Sequence, residues 1–258
     1  MNNLKNLIIY RLMLQNENIY IFLLILPLVS FLYASIGHGG ASGYLALMSL
    51  FSFAPESMKP TALILNVFVA SVSFYYYYKE GYFNKKLFLT FAIASTPLAF
   101  IGGTLEIDAS LYKKILAVLL IFAILKMLKK HGKESYQIKN IKLWQGVLVG
   151  GSIGFFSGLI GIGGGIILSP IILLFHWGKM KEAAAVSALF IWVNSVSGLI
   201  GQLSSGVTIE KELFVLVAIA LIGGVLGAYC GSEKINNQKL RYILAFVLII
   251  ACAKLFLI

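Results

Sequence analysis

The chain has 258 residues, of which 59% are hydrophobic and only 12% are charged, and its formal net charge is +11. A soluble domain is about half apolar and about a quarter charged, so this composition excludes an ordinary soluble protein. The positive charge does not indicate a nucleic-acid partner, because much of it lies in connections between apolar blocks, where membrane topology explains it.

Ten apolar blocks follow one another along the chain, and each is a candidate membrane segment. A helix needs roughly 20 apolar residues to cross a bilayer. The second and seventh blocks are too short to cross comfortably, so each either spans or forms a re-entrant hairpin with its neighbour. The blocks are 19–36, 41–54, 61–78, 87–105, 111–128, 143–160, 165–175, 183–203, 213–230 and 240–257.

The chain repeats itself, which divides it into two halves. The sequence IGHGGA at 36–41 matches IGIGGG at 160–165, and three further matches follow in the same order: 61–63 with 187–189, 101–103 with 222–224, and 115–117 with 243–245. We therefore predict an N-terminal repeat at residues 1–130, which begins with a short interfacial segment. A basic cytoplasmic connection follows at 131–142, and a C-terminal repeat at 143–258.

The charges of the connections indicate how the two repeats are oriented. The connection before the fourth block is basic and its counterpart in the second half is acidic, whereas the connection after the fourth block begins acidic and its counterpart is basic. Basic loops stay in the cytoplasm, so opposite bias in equivalent loops favours inverted repeats. Parallel repeats would follow if the first two blocks of each half made one crossing together, but that topology places the basic 234–241 connection outside.

The sequence therefore predicts an all-α polytopic membrane protein. Its two inverted repeats would each contain about five transmembrane or half-membrane helices, broken at glycine turns. The bilayer is then the first partner of the chain, and no nucleic acid, cofactor or metal ion is expected.

Two glycine clusters interrupt apolar runs at corresponding places in the halves, at 37–40 and at 161–165. Glycine costs a helix about 1 kcal/mol relative to alanine, so the clusters predict broken helices. Matched interruptions are the best sequence indication of a transporter's binding site. A helix that starts at such a break offers free N–H groups and the positive end of its dipole, which favour an anion. The alternative is close helix packing, the interpretation we prefer for Gly102, Gly103, Gly223, Gly224 and Gly227.

Polar residues inside membrane segments usually face the protein interior. Asn66 and Asn194 occupy similar places in the two halves, and their amides suit the oxygens of an anion, although they could equally bond neighbouring helices. Thr61 and Ser187 could cap the helices that begin near them or donate to the ligand. His38 could bind substrate or a proton, or it could be a buried histidine with a structural role. The predicted substrate-binding residues are Gly37, His38, Gly39, Gly40, Ser42, Asn66, Gly161, Gly163, Gly164, Gly165, Ser187, Asn194 and Ser197.

These motifs resemble those of the TauE/SafE-type sulfite exporters, also called the toluene-sulfonate uptake permease family. The resemblance rests on the paired Ile-Gly-x-Gly-Gly turns, the Ser187–Phe190 run and the Gly223–Gly224 turn, and it extends from about residue 19 to residue 258. In the first half, His38 and Ala41 stand where the family commonly has a hydrophobic residue and a glycine.

The resemblance implies a multi-pass transporter of the cell inner membrane. Its substrate would be a small sulfur-containing anion such as sulfite, sulfoacetate or another organosulfonate, with H⁺ or Na⁺ as coupling ion. Thiosulfate-transporting relatives use cysteines near the pathway, whereas Cys230 and Cys252 lie outside both glycine clusters, which disfavours thiosulfate. A homodimer is left open.

Two other functions compete with a carrier. A passive anion channel needs a continuous polar path, whereas broken helices suit alternating access. An intramembrane serine protease is suggested by the Gly-Ala-Ser-Gly sequence at 40–43, and it would need one of His38, His131 or His176 as a base. The repeat argues against it, because Ile166 stands opposite Ser42, and we expect a protein that is not an enzyme.

Overall fold

The computed structural model describes residues 19–106, 138–207 and 213–234, together with 111, 114, 118, 121, 209 and 249. The described part contains α-helices and no strand, and it forms a polytopic membrane protein of the predicted all-α class. The predicted interfacial segment, the blocks at 111–128 and 240–257 and most of the basic connection fall outside the described ranges. The helices are α1 (Ile19–Ala34), α2 (Ala41–Leu50), α3 (Pro55–Lys79), α4 (Lys85–Thr104), α5 (Leu143–Ile160), α6 (Gly165–Leu174), α7 (Met180–Ser204) and α8 (Leu213–Glu233).

The lengths of the helices separate full spans from short segments. Among the described helices, α3, α4, α5, α7 and α8 are long and apolar enough to cross a membrane. By contrast, α2 and α6 have 10 residues each. Such a helix is about 15 Å long, which is half of the hydrocarbon thickness. Large apolar side chains such as Leu24, Leu148 and Ile222 are more than half exposed on the outer surface, as contact with lipid requires.

The helices form two bundles that do not coincide with the two sequence halves. The first bundle contains α1, α2, α3 and α8, and the second contains α4, α5, α6 and α7. The fourth helix of each half therefore packs in the bundle of the other half. The extended helix contact between the two bundles is that of α3 with α7. Exchanging the halves, α1 with α5, α2 with α6, α3 with α7 and α4 with α8, leaves this contact pattern unchanged.

The two central helices, α3 and α7, run antiparallel. Tyr77, near the end of α3, packs on Ala184 near the start of α7. At the other end, Lys59 of α3 donates to the carbonyl of Gly103, which packs on Gly201 near the end of α7. Equivalent helices of inverted repeats would have this relation, although the inversion across a membrane and the domain boundaries stay predictions.

Glycines allow close backbone contact between helices that belong to different halves of the sequence. On α5, glycines at four-residue spacing share one face, and a Cβ on Gly150 would meet the backbone of Phe91 in α4. On α8, a Cβ on Gly227 would likewise meet the backbone of Phe31 in α1. The packing role predicted for five glycines is confirmed, because each contacts a neighbouring helix: Gly102, Gly103, Gly223, Gly224 and Gly227.

Candidate functional site

The two glycine clusters form tight turns between helices, as the sequence predicts. The first glycine turn, residues 35–40, separates α1 from α2, and the second, residues 161–164, separates α5 from α6. Left-handed backbone occurs at Gly37 and Gly40 in the first turn and at Gly161, Gly163 and Gly164 in the second, with φ between 71° and 106°. A residue with a Cβ is disfavoured in this conformation, so the turns require glycine.

The two turns meet at the contact between α3 and α7. A Cβ added to Gly39 would meet the Asn66 amide and, at 2.9 Å, Cγ2 of Ile191. A Cβ added to Gly163 would meet the same amide and the same methyl group, again at 2.9 Å from the latter. Asn66 of α3 and Ile191 of α7 therefore lie between the two turns, and each bundle contributes one turn to the junction.

Asn66 connects the bundles through both ends of its buried amide. Its Oδ1 accepts from the backbone N–H of Ala41, the first residue of α2, at 2.9 Å. Its Nδ2 donates to Oγ of Ser195 in α7 at 3.2 Å. One amide thus joins the start of a half-length helix in the first bundle to a spanning helix of the second.

His38 spans from the first turn to the start of α6. The side chain is buried, with Nδ1 at 2.8 Å from the carbonyl oxygen of Ile36 and Nε2 at 3.1 Å from that of Gly165. A carbonyl oxygen only accepts, and neutral imidazole donates from one nitrogen only. A neutral ring therefore donates to only one of these carbonyls, and only the imidazolium form would donate to both.

The half-length helices begin without side-chain caps. Their N-cap residues, Gly40 for α2 and Gly164 for α6, have no side chain to bond the first N–H groups. On α2, the amide oxygen of Asn66 accepts a hydrogen bond from one of these N–H groups. On α6 the uncapped N–H groups and the positive end of the helix dipole face the junction of the turns, where both favour an anion.

Several hydroxyls predicted for the site are already hydrogen-bonded. Ser42 bonds the hydroxyl of Tyr33, Ser187 bonds Ser169, and Ser197 donates to a carbonyl of α4 at Thr96. The amide of Asn194 donates to the carbonyl of Phe190 on its own helix at 2.7 Å. The structure therefore places the turns, His38 and Asn66 together, while the substrate contacts predicted for the other side chains stay predictions.

The capping role considered for Thr61 and Ser187 is wrong, because both residues lie well inside their helices. α3 already begins at Pro55, whose fixed φ suits the first helical position. α7 begins at Met180, where the carboxylate of Glu182 accepts from the backbone N–H of Lys179. Inside α3, the hydroxyl of Thr61 donates to the carbonyl four residues earlier.

Residues that the sequence did not single out also shape the junction. Ile191 contacts both turns, Ser195 accepts from Asn66, and the hydroxyl of Tyr44 donates to the carbonyl of Gly39 at 2.9 Å. Ser195 stands beside Asn194 in a run of small polar residues. Helical periodicity puts these neighbours on different faces, but it does not tell which face meets the turns.

Comparison with known proteins agrees with this architecture. Residues 22–255 match the family described as Sulfite exporter TauE/SafE. The chain belongs to the TauE/SafE sulfite exporter family. It is therefore a multi-pass membrane transporter of the TauE/SafE type, and the predicted resemblance is confirmed.

Relatives of this TauE/SafE protein come from bacteria and archaea. A "Probable membrane transporter protein" of Sinorhizobium fredii is 34% identical over 232 residues, which cover 88% of this chain and 94% of the relative. A relative from Methanocaldococcus jannaschii with the same description is 30% identical over 251 residues, which cover 88% of this chain and 94% of the relative. A membrane transporter from Bacillus subtilis, also described as probable, is 27% identical; the match covers 84% of this chain and 90% of that relative. No solved structure matches the chain.

Among the described residues, Ser42 is not paired with His38 as a serine protease would require, and His131 lies outside the described ranges. The hydroxyl of Ser42 bonds that of Tyr33 at 2.9 Å. Both ring nitrogens of His38 lie against carbonyl oxygens. A serine nucleophile needs its base within hydrogen-bond reach, and Ser42 and His38 are instead bonded to other groups. The relatives are likewise described as transporters.

Two lysines of the TauE/SafE chain join the bundles at opposite ends of the α3–α7 contact. Lys59 donates to the carbonyls of Gly103 and Leu105, at 3.4 and 3.3 Å, at the end of α4. Lys181 donates to the carbonyl of Ser232, at 2.7 Å, near the end of α8, and to the hydroxyl of Tyr82 at 3.1 Å. We name these contacts the Lys59 clasp and the Lys181 clasp. Each satisfies carbonyls at a helix C-terminus, where the dipole favours a cation.

A basic cavity of about 760 Å³ opens beside the Lys181 clasp. Three lysines line it, Lys85, Lys179 and Lys181, whereas its acidic residue, Glu182, accepts a hydrogen bond from Asn84. A concave surface of one charge sign concentrates ions of the opposite sign. This cavity would therefore attract anions, and residues 81–85 of its lining belong to the connection that the sequence places in the cytoplasm.

Proposed function

We propose that this protein exports a small sulfur oxyanion, sulfite or an organosulfonate such as sulfoacetate, across the cell inner membrane by alternating access. The observation that carries the proposal is the meeting of two glycine turns, one from each bundle, across the amide of Asn66. The family description, Sulfite exporter TauE/SafE, supports the substrate class.

In this proposal the anion rests between the two turns. The uncapped start of α6 supplies N–H donors and a positive dipole end, and the imidazolium of His38 supplies charge. Asn66 offers its amide nitrogen once the contact with Ser195 opens. Sulfite and sulfonate groups carry several acceptor oxygens in a small volume, which suits donors that converge from two sides.

The proposed movement is a rocking of one bundle against the other. Helix pairs α1–α8 and α4–α5 are locked by glycine–backbone contacts, so each bundle moves as a unit even though it contains helices from both halves. The α3–α7 contact is the hinge of the movement. The Lys59 clasp and the Lys181 clasp lie at opposite ends of this hinge, so releasing one and keeping the other would open the site to one side.

The position of the basic cavity also favours export. The basic cavity lined by Lys85, Lys179 and Lys181 would collect anions on the side that the sequence assigns to the cytoplasm. Substrate would pass from there to the glycine turns when the Lys181 clasp is released.

The proposal is tested with purified protein and a panel of anions: sulfite, sulfate, sulfoacetate, taurine, thiosulfate, phosphate and a carboxylate. A ligand that binds only the folded state raises the apparent stability by about 2.7 kcal/mol at a hundred times its dissociation constant. We expect thermal stabilisation by sulfite or sulfonates alone. If no anion shifts the unfolding temperature, the proposed site is wrong.

Flux in liposomes tests the mechanism separately. A carrier shows saturable exchange of labelled anion for unlabelled anion across the membrane. Linear flux that follows the applied voltage would instead show a passive channel, and alternating access would be refuted.

A further inference from the structure

The buried polar side chains of the two bundles differ in how well they are paired. Within the described residues, four buried side-chain nitrogen or oxygen atoms have no hydrogen-bond partner, and they belong to Ser157, Asn194 and Gln202. All three residues lie in the second bundle, on α5 and α7. Around the first turn, the corresponding hydroxyls are paired: Ser30 with Tyr44, Tyr33 with Ser42, and Tyr77 with the carbonyl of Ser35. A buried polar group without a partner destabilises a fold, so such a concentration points to a ligand.

Ser157 and Asn194 both belong to the contact between α5 and α7. Gly198 packs on Gly158, and Phe190 lies beside Ser157 at the second glycine turn. Asn194 stands midway between Phe190 and Gly198 on the same face of α7. Cβ of Ser157 lies 3.6 Å from the position that a Cβ on Gly164 would occupy, and the ring of Phe190 lies 3.0 Å from that position. Asn194 is tied to Phe190 by the bond from Nδ2 to its carbonyl. Both side chains are completely buried.

The orientation of the Asn194 amide decides the charge of the ligand. Since Nδ2 donates to the carbonyl of Phe190 at 2.7 Å, the group left unpaired is the acceptor Oδ1. An acceptor oxygen binds a cation or a donor, and it repels an oxyanion. Ser157 adds a hydroxyl oxygen near the C-terminal end of α5, where the helix dipole is negative. In transporters with broken helices, such C-terminal ends are the places that coordinate Na⁺.

We propose that Oγ of Ser157 and Oδ1 of Asn194 are ligands of a binding site for a small monovalent cation, with Na⁺ as the expected ion, beside the second glycine turn. Both ligands are neutral, whereas sites for divalent ions use carboxylates. The described residues contain no group of three or more His, Cys, Asp or Glu side chains that could hold a metal ion.

The cationic side chains near this site have partners of their own. The stem of Lys59 contacts Gly161, but its ammonium group donates to the carbonyls at the end of α4. His38 is held between the carbonyls of Ile36 and Gly165. The anion of the proposed function would lie between His38 and the bound cation, which favours binding of the two ions together.

Gln202 lies on the same face of α7 as Asn194. Asn194, Gly198 and Gln202 follow at four-residue spacing and therefore share one face of α7. At Gly198 this face packs directly on Gly158 of α5, and both amide atoms of Gln202 are buried without partners.

The experiment measures binding of labelled Na⁺ and thermal unfolding of the purified full chain at constant ionic strength, with choline or K⁺ replacing Na⁺ and no substrate anion present. We expect saturable Na⁺ binding and an Na⁺-specific rise in the unfolding temperature. Ser157→Ala and Asn194→Leu should weaken Na⁺ binding by about tenfold or more, as loss of a metal ligand does.

Ser95→Ala is the matched control, because Ser95 is also fully buried in a spanning helix but already donates to the carbonyl of Ala92. This variant should keep the Na⁺ affinity of the wild type. Ser157→Ala removes only an unpaired hydroxyl, so it should fold even if Asn194→Leu does not. The proposal is overturned if Na⁺ acts no differently from choline on the wild type, or if Ser157→Ala binds Na⁺ as the wild type does.

The coupling of the cation to transport rests on the proposed function, whereas the cation site itself does not. Stabilisation by sulfite measured in choline buffer tests the anion site alone. A protein that binds Na⁺ but no anion would support the cation site and refute the proposed substrate. A protein that binds the anion but not Na⁺ would support the substrate and refute the cation site.

Discussion

The junction of the two turns is tested by adding one methyl group to it, with Gly163→Ala. Gly81→Ala is the matched control, since both glycines have left-handed backbone, with φ of 71° and 77°. A Cβ at Gly81 meets nothing within 4 Å, whereas one at Gly163 meets the Asn66 amide, Cγ2 of Ile191 at 2.9 Å and Oγ of Ser195 at 3.1 Å. The two variants therefore share the backbone strain, and only one crowds the junction.

The expected loss of stability follows from these contacts. Left-handed backbone costs a residue with a Cβ about 1–2 kcal/mol, and this is the whole cost at Gly81. At Gly163 the amide of Asn66 must also move away from Ala41 and Ser195, and each of these two hydrogen bonds contributes about 0.5–1.5 kcal/mol. The free energy of unfolding should therefore fall by about 2–5 kcal/mol in Gly163→Ala and by about 1–2 kcal/mol in Gly81→Ala.

The assay is thermal unfolding of each purified variant, combined with titration of sulfite against the unfolding temperature. Gly163→Ala should unfold at a lower temperature than Gly81→Ala and should bind sulfite more weakly, while Gly81→Ala should keep the wild-type affinity. Equal unfolding temperatures and equal sulfite affinities in the two variants would refute the placement of Asn66 between the turns.

Two further predictions concern helix packing and charge at the site. Gly150→Ala should lower the free energy of unfolding by about 1–3 kcal/mol, because the added Cβ meets the backbone of α4. In the neighbouring Gly151→Ala, the added Cβ meets only the flexible end of Leu98, so this variant should be as stable as the wild type or more stable by up to about 1 kcal/mol. Thermal unfolding of the pair checks this, and a loss of equal size in both would contradict the glycine–backbone contact. His38→Gln should weaken sulfite binding by about 10- to 100-fold, which corresponds to about 1.4–2.8 kcal/mol, because the positive charge proposed beside the anion is lost. In the same titration His176→Asn, at the end of α6, should bind as the wild type does; unchanged binding in His38→Gln would remove the imidazolium from the site.

The arrangement of the bundles changes how the two repeats should be understood. The repeat in the sequence suggests two halves that move as bodies, but α4 and α8 each pack in the bundle of the other half. Glycines on α5 and α8 bring backbones into direct contact across the halves, and a contact of this kind does not slide easily. In the proposed rocking movement, the moving units are therefore the bundles, with the α3–α7 contact between them.

The amino-acid pattern was enough to predict the class of the protein and the positions of its breaks. Long apolar blocks dictate membrane helices, because water-free lipid leaves the backbone no other way to pair its polar groups. Clustered glycines favour turns at the predicted places, since φ near 71–106° is costly for residues with a Cβ. Both results depend on local chemistry, which is readable along the chain.

Which polar groups meet depends on the packing of the helices. Asn66 and Asn194 look equivalent in the sequence, yet Asn66 joins the two turns and Asn194 bonds its own helix and leaves an oxygen unpaired. Ser157 carries no signal that separates it from a small packing residue. The reason is physical: hydrogen-bond partners are set by the packing of helices far apart in the chain, and helical periodicity fixes the face of a residue but not the neighbour that the face meets.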